Sequence, residues 1–144
     1  IAGRPVDLEY FEVLKRLIAE ADLSSNVEFL GHVETDELRE LYRTCGVFVF
    51  PSTVETFGNP LVEAMACGAP IASSNSAAMP EVLGDAAEFF DPNDVDDMCA
   101  TISGLISDQD QRERLSAAAR DRAARYSWQE TKRQTLEVIM GKTG

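Results

Sequence analysis

The feature that most constrains the fold is a strand, a loop and a helix that follow one another near the middle of the chain. Val47 to Phe50 are apolar residues of high β-propensity, and an unbroken run of this kind is typical of a strand buried on both faces of a parallel sheet. Asn59 and Pro60 indicate a helix start, because Asn is a favoured N-cap and Pro suits the first helical position. Gly68 indicates its end, since glycine adopts the left-handed cap conformation. The loop therefore follows the carboxyl end of a strand, where open α/β sheets bind their ligands.

Two carboxylates, Glu55 and Glu63, lie on this loop and helix with seven residues between them. Gly58 lies between them and lets a ligand approach the backbone, while the free N–H groups of the first helical turn attract anions. This combination suits a ligand with both hydroxyls and oxyanions, such as a sugar nucleotide, with Glu63 accepting charge-assisted hydrogen bonds from vicinal hydroxyls. An equally weighted alternative is that Glu63 lies in the first turn only to complement the helix dipole.

Alternating strand and helix patterns in the rest of the chain predict an α/β fold, a Rossmann-like parallel sheet with helices on both faces. We predict a single donor-binding domain over residues 1–144, in which residues 1–3 are the tail of a truncated first strand. Five arginines on the helix near residues 109–125 are predicted to form a solvated face, and Trp128 to attach the last helix to the sheet. The predicted strands are 26–30, 47–50, 71–73 and 86–90, and the predicted helices begin near residues 6, 35, 59, 79, 94, 109 and 127, the last of them ending near 141.

The composition of the chain argues against two classes of binding partner. The net charge of −12 argues against nonspecific binding to nucleic acid or to an anionic lipid surface. The three cysteines include no C-x-x-C pair and lie within apolar stretches, which favours reduced thiols and a cytoplasmic protein. No run approaches the ~20 apolar residues of a membrane span.

Five segments resemble one enzyme family in the order in which that family carries them, among them residues 37–42, which resemble the helix after its N-V-x-F-x-G strand. Residues 55–63 (E-T-F-G-N-P-L-V-E) resemble the E-x7-E signature of retaining GT-B glycosyltransferases, most closely the GT4 family, although Thr56 and Asn59 replace its common Gly and Leu. Residues 26–31 resemble the family's N-V-x-F-x-G strand, residues 79–85 its P-E-V-x-G-D segment and residues 126–128 its late F-S-W element. The resemblance implies the C-terminal half of a GT-B fold, which binds a nucleotide sugar.

The resemblance also implies roles for individual residues. Members of the family transfer a sugar from a nucleoside diphosphate to an acceptor with retention of configuration, without a catalytic metal or a further cofactor. The donor would be a UDP-, GDP- or ADP-sugar, and Glu55 would be the catalytic residue beside its sugar. Glu63 would bind the ribose hydroxyls, and the loop at His32 and Val33 would meet the base, although an ordinary loop role for His32 is the stronger interpretation of that residue alone. The predicted substrate-binding residues are Thr56, Phe57, Gly58, Asn59, Leu61, Glu63, His32 and Val33.

In the family, an acceptor-binding domain and a basic clamp for the diphosphate precede the segment that this chain resembles. We therefore expect residues 1–144 to bind a nucleotide weakly and to transfer nothing alone, with a sugar or lipid-linked acceptor bound by the other domain. Association of the full-length protein with the inner membrane face stays open. The alternatives are a sugar-nucleotide epimerase, a phosphorylase and a non-catalytic nucleotide-binding module. A glycoside hydrolase, which also uses two carboxylates, is less favoured because Glu63 lies on a helix.

Overall fold

Strands and helices alternate through the middle of the chain in the computed structural model, which describes residues 1–141. Within those residues there are seven helices and three strands, the arrangement of an α/β fold. In chain order they are α1 (Leu8–Glu20), α2 (Thr35–Thr44), β1 (Phe48–Phe50), α3 (Asn59–Cys67), β2 (Ile71–Ser74), α4 (Met79–Leu83), β3 (Glu88–Phe90), α5 (Val95–Ser107), α6 (Gln109–Ala123) and α7 (Trp128–Ile139).

The chain forms two units, Ile1–Leu38 and Arg39–Gly144, with the boundary inside α2. In the first unit, the side chain of Asp7 accepts a hydrogen bond from the backbone N–H of Tyr10 and so caps α1. The second unit contains the sheet and the remaining helices. The single domain expected over residues 1–144 stays a prediction.

The strand predicted over residues 26–30 is wrong. A single isolated parallel bridge joins Ala2 to Gly31 in this part of the first unit. The backbone N–H of Gly3 donates to the carbonyl of Gly31 over 2.7 Å, and the N–H of Leu30 donates to the carbonyl of Ile1 over 2.9 Å. A ladder requires several consecutive pairs, and residues 1–3 form a single bridge with this segment.

The sheet of the second unit is parallel, with β2 between β1 and β3. Every residue of β2 is buried, whereas every residue of β1 is half-buried. The prediction that the strand near residues 47–50 is buried on both faces is therefore wrong, although a strand is present there. The reason is position in the sheet: β1 is an edge strand, and the central place belongs to β2.

Helices cover both faces of this sheet, as predicted. On one face Phe90 and Leu105, each 1% exposed, form the core with the α5 and α6 side chains around them. Burying side chains of this size is worth about 1.5–3 kcal/mol each. Val49 of β1 packs against this cluster. Its neighbour Phe48 points to the other face, since side chains alternate along a strand, and meets Tyr42 of α2 edge-on with ring centroids 5.1 Å apart.

Helix α3 begins one residue earlier than predicted. Gly58, with φ 81°, takes the N-cap position that was expected for Asn59, and no side chain in the described part of the chain caps the helix. The end of the helix is confirmed, because Gly68 has φ 74° and its backbone N–H donates to the carbonyl of Met65 over 2.9 Å. The shift at the start arises because the left-handed turn at Gly58 already ends the loop, so Asn59 enters the helix.

The predicted solvated face of arginines on α6 is wrong at several positions. Arg112 donates from its guanidinium to the carbonyl of Leu105 in α5. Arg122 donates from Nε to the carbonyl of Val82 over 2.6 Å, and from a terminal nitrogen to the carbonyl of Glu81 in α4. These carbonyls belong to the ends of neighbouring helices, where no intrahelical N–H is available. Helical periodicity could not reveal them, because they belong to other elements.

The predicted attachment of α7 through Trp128 is also wrong. Trp128 is 84% exposed, and α7 contains no buried residue. The predicted N-cap is confirmed, since the side chain of Ser127 accepts a hydrogen bond from the N–H of Glu130. Side-chain pairs along the helix surface support α7 instead, with Arg133 bound to both Glu130 and Glu137.

Candidate functional site

The loop between β1 and α3 holds Glu55 half-buried. Oε1 of Glu55 lies 3.2 Å from the hydroxyl of Ser52, which can donate a hydrogen bond to it. The same hydroxyl lies 3.2 Å from the carbonyl of Val54. A side chain directly after β1 therefore restrains the carboxylate at the start of the loop.

Gly58 brings the loop close to the first turn of α3. A Cβ atom at this position would lie 2.9 Å from Cδ1 of Leu61 and 4.0 Å from Cγ of Glu55, and the φ of 81° is one that side chains rarely adopt. The side chain of Leu61 is fully buried, and its backbone N–H donates to the carbonyl of Gly58 over 2.9 Å. Only glycine allows this close turn without strain.

Several backbone amides lie at the positive end of α3. Within residues 1–141, the N–H groups of Phe57, Gly58 and Asn59 have no hydrogen-bond acceptor in the protein. The preceding Thr56 is exposed. Free amides at a helix N-terminus are suited to hold oxyanions.

The second carboxylate, Glu63, is exposed on α3 and contacts α2. Its Oε2 lies 3.4 Å from the hydroxyl of Tyr42, a side chain that is only 6% exposed. Burial and the adjacent Glu63 carboxylate raise the pKa of Tyr42, so its hydroxyl keeps its proton and acts as the donor. The first turn of α3 contains no acidic residue, and a dipole effect falls off beyond that turn, which removes the basis of the helix-dipole alternative.

Phe57 contacts Tyr126, which lies between α6 and α7. Its ring meets that of Tyr126 edge-on, with centroids 5.6 Å apart and an angle of 74° between the planes. The Tyr126 hydroxyl donates to the carbonyl of Val82 in α4 over 3.0 Å. The loop that carries Glu55 is thus in contact with Tyr126, which is in turn bonded to α4.

The predicted base-binding residues belong to the first unit. Nε2 of His32 lies 3.4 Å from a carboxylate oxygen of Glu34, and both side chains are exposed. Val33 is half-buried. Their contact with a nucleotide base stays a prediction.

A metal would require a cluster of ligands. Within residues 1–141, no group of three or more His, Cys, Asp or Glu side chains could hold an ion. The same part of the chain contains no helix of the length and apolarity needed to cross a membrane.

The sequence profile described as "Glycosyl transferases group 1" matches residues 1–122. The chain belongs to this family.

Named relatives of this glycosyl transferase chain include mannosyltransferases. It is 38% identical over 127 residues to the O-antigen chain mannosyltransferase B of Escherichia coli, covering 88% of this chain and 33% of that protein. It is 37% identical over 128 residues to the MMP alpha-(1->4)-mannosyltransferase of Mycolicibacterium hassiacum, covering 86% of this chain and 31% of that protein. The chain spans about a third of the length of these two relatives.

Solved structures confirm the fold of the glycosyl transferase chain. Alr3699/HepE of Anabaena, in complex with UDP, superposes with a TM-score of 0.86 at 22% identity, over 99% of this chain and 40% of that one. The C-terminal domain of LpcC, a glycosyl transferase group 1 family protein of Francisella tularensis, has a TM-score of 0.73 at 26% identity, over 83% of this chain and 63% of that one. The predicted GT-B fold class is therefore confirmed.

Sequence reasoning missed three side chains that contact the predicted site of this glycosyl transferase. Tyr42 and Tyr126 belong to segments that resemble the family but were given no role in the site, and Ser52 was given no role at all. A tyrosine at an apolar position is the one signal that could have pointed to Tyr42, since a buried hydroxyl needs a partner. Nothing in the spacing pairs Tyr126 with Phe57.

Proposed function

We propose that this chain is the donor-binding domain of a retaining glycosyltransferase of the GT4 type. The protein would move a sugar from a nucleoside diphosphate to an acceptor in polysaccharide, glycolipid or other glycoconjugate synthesis. The observation that carries the proposal is the group of amides at the start of α3, those of Phe57, Gly58 and Asn59, that have no acceptor within residues 1–141 and lie between two carboxylates that hydroxyl groups restrain. The named mannosyltransferase relatives and the UDP complex of Alr3699/HepE support it.

In this proposal, residues 55–63 are an E-x7-E motif. Glu55 lies against the donor sugar and stabilises the positive charge that develops near the anomeric carbon. The amides of Phe57, Gly58 and Asn59 bind the sugar hydroxyls and the phosphate, and Glu63 binds the two ribose hydroxyls. The side chain of Thr56 is exposed beside them.

Leu61 has a structural role, because its backbone N–H already donates to the carbonyl of Gly58. Its buried side chain holds the turn that presents the other amides. Catalysis then consists of positioning and electrostatic stabilisation, with the leaving diphosphate taking the acceptor's proton on the retained face.

The remaining parts of the proposal concern the whole protein. His32 and Val33 meet the nucleotide base, and no metal or further cofactor takes part. An acceptor sugar or a lipid-linked acceptor binds another domain, and basic residues outside this chain offset its net charge of −12 at the diphosphate. We place the enzyme in the cytoplasm, including at the inner face of the membrane.

A calorimetric titration with UDP, GDP and ADP tests the proposal on the wild-type chain and on Glu63→Gln. We expect one nucleotide to bind, and the substitution to weaken it roughly 10-fold or more, as for the loss of a hydrogen bond to a charged group. Glu40→Gln, at an exposed position of α2, is the control and should bind like wild type. Equal affinities for the wild type and Glu63→Gln would contradict the ribose role.

A further inference from the structure

We propose that Tyr126 is a positioning residue that holds the donor loop, defined as residues 55–58, in place for sugar transfer. The juxtaposition that carries this inference is the contact of the Tyr126 ring with Phe57 while its hydroxyl is bound to α4. The inference rests on the proposed function for its catalytic consequence. Its structural part can be tested without a donor.

The contact between Phe57 and Tyr126 is edge-to-face. Centroids 5.6 Å apart at 74° are within the geometry that aromatic pairs prefer, because the positive edge of one ring meets the negative face of the other. Phe57 is 39% exposed and lies on a loop outside the helices and strands, where the Tyr126 ring packs against it.

Tyr126 is also fixed through its hydroxyl group, which is hydrogen-bonded to α4. Its hydroxyl donates to the carbonyl of Val82 over 3.0 Å, and Nε of Arg122 donates to the same oxygen over 2.6 Å. Arg122 also binds the carbonyl of Glu81. Both carbonyls lie in the last turn of α4, whose acceptors have no intrahelical donors, so α6 and its C-terminal extension cap α4.

The guanidinium of Arg122 lies against the backbone at the end of α4. A Cβ atom on Gly84, which has φ 54°, would overlap the guanidinium of Arg122. The end of α4 and the segment from Arg122 to Tyr126 therefore form one packed support. The donor loop, by contrast, contacts this support through the ring of Phe57.

The donor loop carries two of the amides that are proposed to bind the donor, so its position should affect the rate of transfer. The amides of Phe57 and Gly58 would bind the charged donor atoms during transfer, whereas Glu63 on α3 would bind the ribose. A small displacement of a binding group can cost ~100-fold in rate. Loss of the Tyr126 ring should thus lower kcat and weaken nucleotide binding by a smaller factor, because Glu63 still binds the ribose, and Tyr126→Phe, which keeps the ring, should restore both.

The first experiment compares Tyr126→Leu with Tyr126→Phe by NMR on the nucleotide-free protein. In Tyr126→Leu we expect displaced amide signals of Phe57 and Gly58, and roughly tenfold faster exchange of the Leu61 amide, whose bond to Gly58 reports loop position. Tyr126→Phe keeps the ring and should keep the wild-type signals of these residues. Trp128→Leu removes an aromatic ring that is 84% exposed and serves as the control.

The second experiment measures transfer with the whole protein. Tyr126→Leu should lower kcat roughly tenfold and weaken nucleotide binding by a smaller factor, and Tyr126→Phe should restore most of both. Unchanged Phe57 and Gly58 signals in Tyr126→Leu would overturn the loop contact. Displaced signals with unchanged kcat would overturn the catalytic consequence. Displaced signals in a protein that binds no nucleotide would uphold the loop contact and refute the proposed function.

Discussion

The hydroxyl of Tyr42 on α2 lies 3.4 Å from Oε2 of Glu63 on α3. Tyr42 is buried and its ring packs edge-on against Phe48 of β1, so the hydroxyl is fixed in direction while the Glu63 side chain is exposed to solvent. A donor of this kind selects one orientation of a carboxylate. In the proposed function, that orientation directs the Glu63 carboxylate towards the ribose hydroxyls.

Tyr42→Phe should weaken nucleotide binding about 3-fold to 10-fold, the range expected for loss of a modest hydrogen bond. The melting temperature should change little, because the ring and its contact with Phe48 remain. Calorimetry and thermal unfolding measure the two effects. Tyr10→Phe, at a 61% exposed tyrosine of α1, is the control. Wild-type affinity in Tyr42→Phe would show that the contact does not orient Glu63.

Glu63→Gln should lower the pKa of Tyr42 towards its ordinary value without reaching it, because burial, the largest cause, remains. The raised pKa in the fold means that stability is complete below the unfolded pKa of about 10 and falls as pH rises above it. Loss of the carboxylate should therefore reduce the fall in stability at alkaline pH. Denaturant unfolding between neutral and alkaline pH measures this, and identical pH dependence in both proteins would count against the contact.

Gly58→Ala should destabilise the fold by about 1–3 kcal/mol, since the new Cβ would meet Leu61 and the backbone would be held at a strained φ. Gly104→Ala is the matched control: it lies within α5 with open space around the added Cβ, and should stabilise by about 0.5–1 kcal/mol. Urea unfolding of the two variants gives both values. Equal stability of the two variants would refute the strain at Gly58.

The carboxylate of Glu130 on α7 should titrate near pH 2, because hydrogen bonds from Arg133 and Gln134 lower its pKa to about 2. A lowered pKa in the fold contributes stability that is present above the unfolded pKa and is lost as pH falls through about 2. An NMR pH titration measures it directly. Arg133→Met should return the pKa towards its ordinary value, whereas Lys132→Met should leave it low. A wild-type pKa in its ordinary range would contradict these contacts.

The sequence was sufficient where a local signal decides the structure. Gly68 ends α3 and Ser127 begins α7 as predicted, because a left-handed glycine and an N-cap serine act through their own backbone neighbours. The sequence was insufficient where a residue's environment depends on contacts with another helix or strand. The run at Val47 to Phe50 has the composition of a buried strand, yet strand order places it at an edge. Trp128 has the residue type of an anchor, but no element covers it.

The same distinction applies to the site. Residues 55–63 could be recognised as one loop and helix, since they are contiguous in sequence. The hydroxyl groups of Tyr42 and Tyr126 could not be assigned, because their partners Glu63 and Val82 lie far away along the chain.

The most direct test of the central claim is an NMR titration of the chain with the nucleoside diphosphate that binds. The account predicts that the amide signals of Phe57, Gly58 and Asn59 shift together with saturation, while the amide of Leu61, already bonded to Gly58, moves little. That result would place the oxyanions at the N-terminus of α3. Saturation with shifts confined to other residues would contradict the assignment of the donor site to this loop.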